Sequence, residues 1–217
     1  MRKLWTILLL CLVAAQVFSQ KESANWYLHD RTGLKFQCDP PTRFDINFDF
    51  KQSTSYSDTD GNVLIFSDSR TIWNGKDEVI GNIAFANDNS SDPMLIPYPE
   101  RDSAFMLFKF GGYYRDNLFY SIIDLKEKKG LVENNIQLTD NTVPEKYHFT
   151  SFTMTGSRDK KIFWLVTALQ NSSSQIVDYL YFYKITKDGI AEPIRLKAPK
   201  DAIYEPRFSP AGNKIAF

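Results

Sequence analysis

Polar side chains alternate with apolar ones over residues 44–50 (FDINFDF). In an extended strand Asp45, Asn47 and Asp49 would share one face at intervals of about 7 Å. Such a row has the ligand atoms to hold a cation or a sugar, and paired carboxylates also carry out glycoside hydrolysis. The sequence indicates no second carboxylate with a raised pKa, so it favours a solvated strand face, and we predict no catalytic residue.

Tyrosines supply a second candidate binding surface. Tyr179, Tyr181 and Tyr183 alternate with apolar residues, so a strand here would place three phenol rings on one face. Exposed rings can form a platform for a sugar, and Tyr113 and Tyr114 are further candidates. The alternative, which the sequence favours, is that the rings fill a core, because aromatic residues suit half-buried pleated surfaces.

Residues 58–62 (DTDGN) have the opening spacing of a calcium-binding loop. A loop of the EF-hand type also needs a carboxylate near its twelfth position, which is Ser69 in this sequence. Asp60-Gly61 is instead a signal for a tight hairpin turn, because glycine adopts the positive φ that such turns require. We therefore predict a turn here, with no metal site and no cofactor.

Common catalytic signatures are missing from the sequence, including H-E-x-x-H, G-x-S-x-G and the phosphate-binding G-x-x-x-x-G-K-S/T. His29 and His148 are the two histidines, and they lie far apart without catalytic companions. Cys38 is the single cysteine outside the N-terminal leader, so no internal disulfide is expected. The sequence thus gives no positive indication of an enzyme.

The N-terminus has the parts of a secretory signal peptide. Arg2 and Lys3 precede an apolar run over residues 4–17, which is shorter than the ~20 residues of a membrane-spanning helix. The small residue Ser19 closes the run, so we predict that residues 1–19 are removed and that the mature chain is exported. The alternative is an uncleaved N-terminal anchor.

Charge argues against one class of partner. The chain has 26 basic and 26 acidic residues, and loss of the two basic residues of the leader gives a net charge of −2. A nearly neutral chain has no electrostatic footprint for nucleic acid. Residues 20–217 contain no second long apolar run, so the mature chain is expected to have no transmembrane segment.

The rest of the chain has the pattern of an all-β protein. It contains 17 Phe, 11 Tyr and 4 Trp, and short apolar runs recur between turn signals such as Asp188-Gly189. The predicted strands include residues 44–50, 63–66, 71–73, 104–110, 118–125, 146–154, 161–169, 178–186, 203–208 and 214–217. Their spacing fits a sandwich, a barrel or a propeller, and their grouping fits antiparallel propeller blades of about 40–45 residues.

Several segments carry a family resemblance in order: residues 25–27 (NWY) with 32–36 (TGLKF), 57–66 (SDTDGNVLIF), 71–74 (TIWN) and 95–97 (LIP). Together they resemble the N-terminal propeller-like region of exported Bacteroidota surface proteins, which are linked with type IX secretion and gliding motility. The tail over residues 205–217 (EPRFSPAGNKIAF) is similar to the strand pair of WD40-like propeller repeats. The resemblance implies one β-propeller-like domain over residues 20–217. Because the tail stops inside a predicted strand, we expect an incomplete propeller that continues beyond Phe217.

Most residues shared with the family pattern have structural roles, as turn formers or as aromatic fillers between blades. The residues assigned in this way are Trp26, Gly33, Asp60, Gly61, Trp73, Pro210 and Gly212. One further segment, Asp102-Ser103-Ala104, resembles the short acceptor for O-glycosylation in Bacteroidota, with Ser103 as the acceptor.

These observations predict a secreted or cell-surface, non-catalytic propeller module that binds a protein or a surface glycan. The expected location is extracellular or the outer cell surface, with the periplasm as the alternative. The competing function is a secreted carbohydrate-active enzyme, similar to the glycoside hydrolases that have a propeller fold, with Asp45 and Asp49 as its carboxylates. Because no acid–base signature is present, the sequence favours the binding module.

Overall fold

The computed structural model describes residues 25–28, 31–36, 40–46, 52–68, 70–84, 93–111, 117–127, 130–138, 147–157, 159–173, 176–199, 206–209, 212 and 214–216. Their regular structure is antiparallel β throughout, so the predicted all-β class is confirmed. Within these ranges no helix has the length and hydrophobicity to cross a bilayer. The predicted leader over 1–19 and the candidate residues Asn47, Asp49, Tyr113, Tyr114 and Pro210 lie outside the described residues.

The chain divides into two compact units, Met1–Asn82 and Ile83–Phe217, and every sheet lies within one of them. The first unit has a three-stranded sheet followed by a four-stranded sheet, each with its strands adjacent in chain order. The strands of the first sheet are β1 (Asn25–Leu28), β2 (Thr32–Lys35) and β3 (Thr42–Asp45). Those of the second are β4 (Ser53–Ser57), β5 (Val63–Asp68), β6 (Thr71–Asn74) and β7 (Val79–Asn82).

Aromatic rings form much of the packing inside the first unit. Tyr27 stacks on Phe66 with ring centroids 4.5 Å apart, and Phe66 stacks on Trp73 at 5.3 Å. Phe44 meets Tyr27 edge-on at 5.7 Å and lies directly over Gly33, where an added Cβ would be 2.1 Å from the Phe44 ring. Gly33 is therefore required by a close approach within the sheet.

The second unit has two large sheets and a strand pair. Its four-stranded sheet has the order β11-β10-β9-β8, and its five-stranded sheet has the order β12-β13-β14-β15 with β16 also paired to β14. The strands of the first are β8 (Met94–Pro97), β9 (Ala104–Gly111), β10 (Asn117–Asp124) and β11 (Leu131–Gln137). The remaining strands are β12 (Tyr147–Gly156), β13 (Phe163–Asn171), β14 (Val177–Thr186), β15 (Gly189–Ile190), β16 (Ile194–Lys197), and the pair β17 (Arg207–Phe208) and β18 (Ile215–Ala216).

Strand β9 lies at the centre of the second unit, and all eight of its residues are buried. They include Lys109, whose Nζ donates a hydrogen bond to the carbonyl oxygen of Ile83. Burial on both faces explains why residues 104–110 read as a continuous apolar run and not as an alternating one. The main core of this unit forms where β9 and β10 meet β12, β13 and β14.

Hairpins in both units are closed by the same local device. An Asp or Asn at the start of the turn accepts a hydrogen bond from the backbone N–H two residues later, which satisfies a donor where the ladder ends. The acceptor and donor residues are Asp58 and Asp60, Asp68 and Arg70, Asn74 and Lys76, Asp124 and Lys126, Asp159 and Lys161, and Asn171 and Ser173.

Candidate functional site

One face of the β1–β3 sheet carries exposed aromatic and charged side chains. The register places Trp26 opposite Leu34 and Leu34 opposite Arg43, and residues directly opposite in an antiparallel sheet share a face. In the next row along the strands, Leu28 lies opposite Thr32 and Thr32 lies opposite Asp45. We call this surface the tryptophan face, and its residues are Trp26, Leu28, Thr32, Leu34, Phe36, Arg43 and Asp45.

Trp26 and Phe36 form an exposed ring pair on the tryptophan face. Their ring centroids are 4.9 Å apart and the planes are inclined by 51°, so the two rings form an open V. Trp26 is 52% exposed and Phe36 is 43% exposed. The sequence predicted that Trp26 fills space between blades or sheets, and the exposure of its indole corrects this prediction. Strand alternation explains the difference, because Tyr27 takes the buried side of β1 and stacks on Phe66.

Arg43 and Asp45 lie beside these rings as an ion pair. The Arg43 Nη2 and Asp45 Oδ1 atoms are 3.9 Å apart, and the side chains are 68% and 92% exposed. A solvated pair of this kind contributes little to stability. Its two charges remain available to a ligand, and each largely cancels the other at longer range. The solvated strand face that the sequence favoured therefore describes Asp45.

A cleft of about 310 Å³ runs beside the tryptophan face, between β1 and β4. Trp26 and Leu28 belong to both the face and the cleft, so the two are continuous. The cleft is lined by Asn25, Trp26, Tyr27, Leu28, Ser53, Thr54 and Ser55. The lining combines the indole of Trp26, the phenol of Tyr27 and the aliphatic side chain of Leu28 with the hydroxyls of Ser53 and Ser55.

Serine hydroxyls attach β4 to the backbone of β1. Ser53 Oγ donates to the Tyr27 carbonyl oxygen at 2.5 Å, and Ser55 Oγ donates to the Asn25 carbonyl oxygen at 2.6 Å. Each hydroxyl that donates in this way keeps lone pairs that can accept another hydrogen bond. Thr54 also belongs to the lining, but strand alternation directs its side chain to the face of β4 opposite Ser53 and Ser55, where the register pairs it with Ser67.

Asn25 holds the floor of this arrangement, and sequence analysis assigned it no separate role. Its buried amide donates to Ser57 Oγ at 2.9 Å and to the Gly61 carbonyl oxygen at 2.8 Å. These partners lie 32 and 36 residues away, so no spacing in the sequence could reveal them. The available signal was a polar residue directly before the predicted Trp26-Tyr27 pair.

The calcium-like segment over residues 58–62 forms a hairpin turn. Asp58 Oδ1 accepts from the N–H groups of Asp60 and Asn62, while its Oδ2 accepts from Asn62 Nδ2 at 3.0 Å. These bonds, led by the one from the Asn62 side chain, hold the pKa of Asp58 below its usual range. Gly61 has φ +85°, the conformation that its glycine was predicted to supply. Both Asp58 oxygens are thus occupied by the turn itself.

No group of three or more His, Cys, Asp or Glu residues that could hold a metal ion occurs in the described part of the chain. The only ionisable side chain among the lining residues of the cleft is the Tyr27 phenol. Burial, together with the charge of Asp77, raises the pKa of Tyr27 to about 12. At neutral pH the cleft therefore has hydrogen-bonding groups and no charged lining residue.

The predicted tyrosine row on β14 lies against the core of the second unit. Tyr183 is buried, and Tyr179 and Tyr181 pack partly buried against the same cluster. The Arg195 guanidinium lies 3.7 Å from the centroid of the Tyr179 ring and 5.8 Å from that of Tyr181. The three rings do share a face, but Tyr183 is not accessible and Arg195 covers Tyr179.

The other predicted positions have local structural partners. Ser103, the proposed glycosylation acceptor, donates from Oγ to Asp124 Oδ1 at 2.7 Å, and this bond is the main reason that the pKa of Asp124 is lowered. Trp73 is buried in the aromatic stack, as expected for a space-filling residue. Gly212 has φ +68°, and an added Cβ there would lie 2.2 Å from Thr155 Oγ1.

No protein-family model matches the chain, and no curated protein matches it. The tryptophan face and its cleft are therefore the features from which a function is inferred.

Proposed function

We propose that this chain is an exported, non-catalytic binding module of the β-propeller type, which recognises a protein or glycan through the tryptophan face. The observation that carries the proposal is the exposed Trp26–Phe36 pair, held on a strand scaffold beside a polar cleft. Large aromatic side chains left in water are unfavourable for the free chain, and they are enriched where proteins bind ligands.

The arrangement of the sheets supports the propeller part of the proposal. Strands β4–β7 form one antiparallel sheet in chain order, and β8–β11 form a second. The third sheet keeps chain order over β12–β15, with β16 as a fifth strand paired to β14. A succession of four-stranded meanders is the building plan of propeller blades. Blades of this kind place their loops and edge strands at the surface, where binding residues are carried by a rigid scaffold.

The chemistry of the cleft supports a module without catalysis. Hydrolysis of a glycoside requires an acid and a base or nucleophile at fixed separation on either side of the bond. The lining residues supply no carboxylate, and Tyr27 stays protonated at neutral pH because its pKa is about 12. Asp45 faces the neighbouring surface and is paired with Arg43, without a second carboxylate on the described tryptophan face.

A binding array tests this function. Labelled chain would be applied to a surface that carries glycans and cell-surface proteins, and the Trp26→Ala variant would be compared on the same array. Val79→Ala is the matched control, because Val79 is an exposed apolar residue of the same unit and lies on β7. We expect positions that bind the wild type and Val79→Ala but not Trp26→Ala.

Two results would contradict the proposal. One is an array on which Trp26→Ala binds the same positions as the wild type with equal signal. The other is release of reducing sugar from a polysaccharide by the wild-type chain together with loss of that release in Asp45→Asn, which would make the protein an enzyme.

A further inference from the structure

We infer that the tryptophan face and the β1–β4 cleft together form a site for a neutral polysaccharide, with one pyranose ring stacked on Trp26. This inference rests on the proposed function and specifies the chemical class of the ligand.

The ring pair provides the apolar part of such a site. A pyranose has a face of C–H groups that packs on the electron-rich face of an aromatic ring. Trp26 presents an indole that is 52% exposed, and Phe36 stands at 51° to it with its centroid 4.9 Å away. One sugar ring can therefore lie on the indole while the Phe36 ring forms a side wall. Two coplanar rings would instead suit a longer flat ligand.

The cleft provides the polar part. A sugar ring that lies on Trp26 directs its equatorial hydroxyl groups sideways, and on one side they meet the lining of the cleft. Ser53 and Ser55 donate to the β1 backbone, so their remaining lone pairs are acceptors for sugar O–H groups. This combination of one indole with two serine hydroxyls matches the two-sided chemistry of a sugar.

The size of the cleft favours a sugar over a protein segment. Its volume of about 310 Å³ lies at the lower end of the range of about 300–1,000 Å³ for small-ligand sites. A specific protein interface buries on the order of 800 Å² on each partner and has a desolvated centre. Serine hydroxyls line this cleft next to the indole, so a ligand there meets polar groups and an aromatic ring together.

The charges on the tryptophan face favour a neutral glycan. Arg43 would attract the carboxylate of an acidic polysaccharide, but Asp45 is 3.9 Å from it and would repel the same group. Lys35 is not part of this face, because the register places it opposite Asn25 on the other side of the sheet. For a neutral sugar both charged groups can act as hydrogen-bonding partners at the rim.

Tryptophan fluorescence of the full chain gives a direct test with defined probes. Laminarin, galactomannan and xylan serve as neutral polysaccharides, and alginate serves as the acidic one. We expect the neutral probes to shift the emission, and we expect Trp26→Phe to remove the shift. The other tryptophans of the described residues are less exposed, since Trp73 is buried and Trp164 is half-buried, so the lost signal identifies Trp26.

Affinity electrophoresis with the same probes measures binding independently of fluorescence. Trp26→Ala should weaken retardation by the neutral polysaccharide by about tenfold, whereas Trp26→Phe, which keeps an aromatic ring, should stay within about threefold. Ser55→Ala should weaken it by about threefold through loss of the hydroxyl acceptor. Val79→Ala should leave it unchanged, and a thermal melt verifies that each variant is folded.

The outcomes separate the ligand class from the proposed function. Stronger binding to alginate than to every neutral probe, or no binding to any polysaccharide, would overturn the neutral-glycan inference. Neutral-glycan binding that is unchanged in folded Trp26→Ala would overturn the site. The array then decides the proposed function separately. If a protein on the array binds the wild type but not Trp26→Ala, the binding module stands with a protein ligand. If a glycan binds wild type and Trp26→Ala equally, the module binds glycans through another surface.

Discussion

The side-chain amide of Asn25 donates a 2.8 Å hydrogen bond to the carbonyl oxygen of Gly61, which ties the first strand to the turn between β4 and β5. A second bond of 2.9 Å reaches Ser57 Oγ, so one buried side chain satisfies two acceptors of the neighbouring sheet. The position of β1, and with it the position of Trp26, depends on this residue.

Replacement of Asn25 by Ala should lower the free energy of unfolding by about 2–3 kcal/mol, because a buried carbonyl and a buried hydroxyl lose their donor. Asn25→Asp keeps the shape but cannot donate to the Gly61 carbonyl oxygen, so it should also destabilise the chain. Urea denaturation measures both effects. Val79→Ala, at a surface position, should change stability by less than about 0.5 kcal/mol. An Asn25→Ala variant as stable as this control would show that the two bonds contribute nothing.

Gly33→Ala should destabilise the chain by about 1–3 kcal/mol, as expected for a methyl group forced into a closely packed site. The added Cβ would lie 2.1 Å from the Phe44 ring, so the ring must move. Phe44→Leu should relieve part of the cost, because the smaller side chain leaves room. A double-mutant cycle from chemical denaturation measures this coupling. Additive effects of the two substitutions would contradict the close approach.

Asp58 should make folding depend on acid pH. Its pKa is lowered in the folded chain by hydrogen bonds, first of all the one from the Asn62 side chain. Between this lowered pKa and the unfolded-state pKa of about 3.9, the unfolded chain binds more protons than the folded chain. The stabilisation that Asp58 contributes is therefore complete above the unfolded-state pKa and is lost as the pH falls toward the folded-state pKa. We expect Asp58→Asn to flatten the acid limb of a stability–pH curve measured by urea denaturation at each pH. Equal acid limbs in wild type and Asp58→Asn would refute the assignment.

Arg195 should stabilise the second unit through its contact with Tyr179. The guanidinium carbon lies 3.7 Å from the centroid of the Tyr179 ring, a distance at which cation–π pairs contribute about 0.5–1 kcal/mol at exposed sites. Arg195→Ala and Tyr179→Leu should therefore show a coupling of this size in thermal or urea unfolding. Lys184→Ala, at an exposed position on the strand that carries Tyr179, is the control for removal of a charge. Coupling between Lys184 and Tyr179 as large as that between Arg195 and Tyr179 would point to general electrostatics in place of the ring contact.

Burial pattern decided which strands could be predicted from the sequence. The runs over 104–110 and 118–125 became β9 and β10, because strands buried on one or both faces read as apolar. Strand β4 was not predicted, since its sequence STSYS has no apolar alternation. It is a strand because its backbone pairs with β5, and the hydroxyls of Ser53 and Ser55 also bond to the distant backbone of β1, relationships that local patterns do not encode.

The candidate site was predictable only in its separate parts. Asp45 was recognised as a potential ligand and Trp26 as a notable residue, but the sequence did not join them. Their proximity depends on the register of β1, β2 and β3, which places Trp26 and Asp45 on the same face through Leu34 and Thr32. Because neighbouring side chains of β1 point to opposite faces of the sheet, only one of Trp26 and Tyr27 can take the buried side. Tyr27 takes that side because it stacks on Phe66.

The serine hydroxyls on β4 also have a consequence for how molecules of this protein meet one another. β1 is the outermost strand of its sheet, a position where unpaired carbonyl groups usually invite a strand from another molecule. Here the carbonyl oxygens of Asn25 and Tyr27 already accept hydrogen bonds from Ser55 and Ser53. An incoming strand would have to displace both hydroxyls before it could form a ladder, so this edge is protected against intermolecular sheet growth while Trp26 and Leu28 stay exposed to solvent.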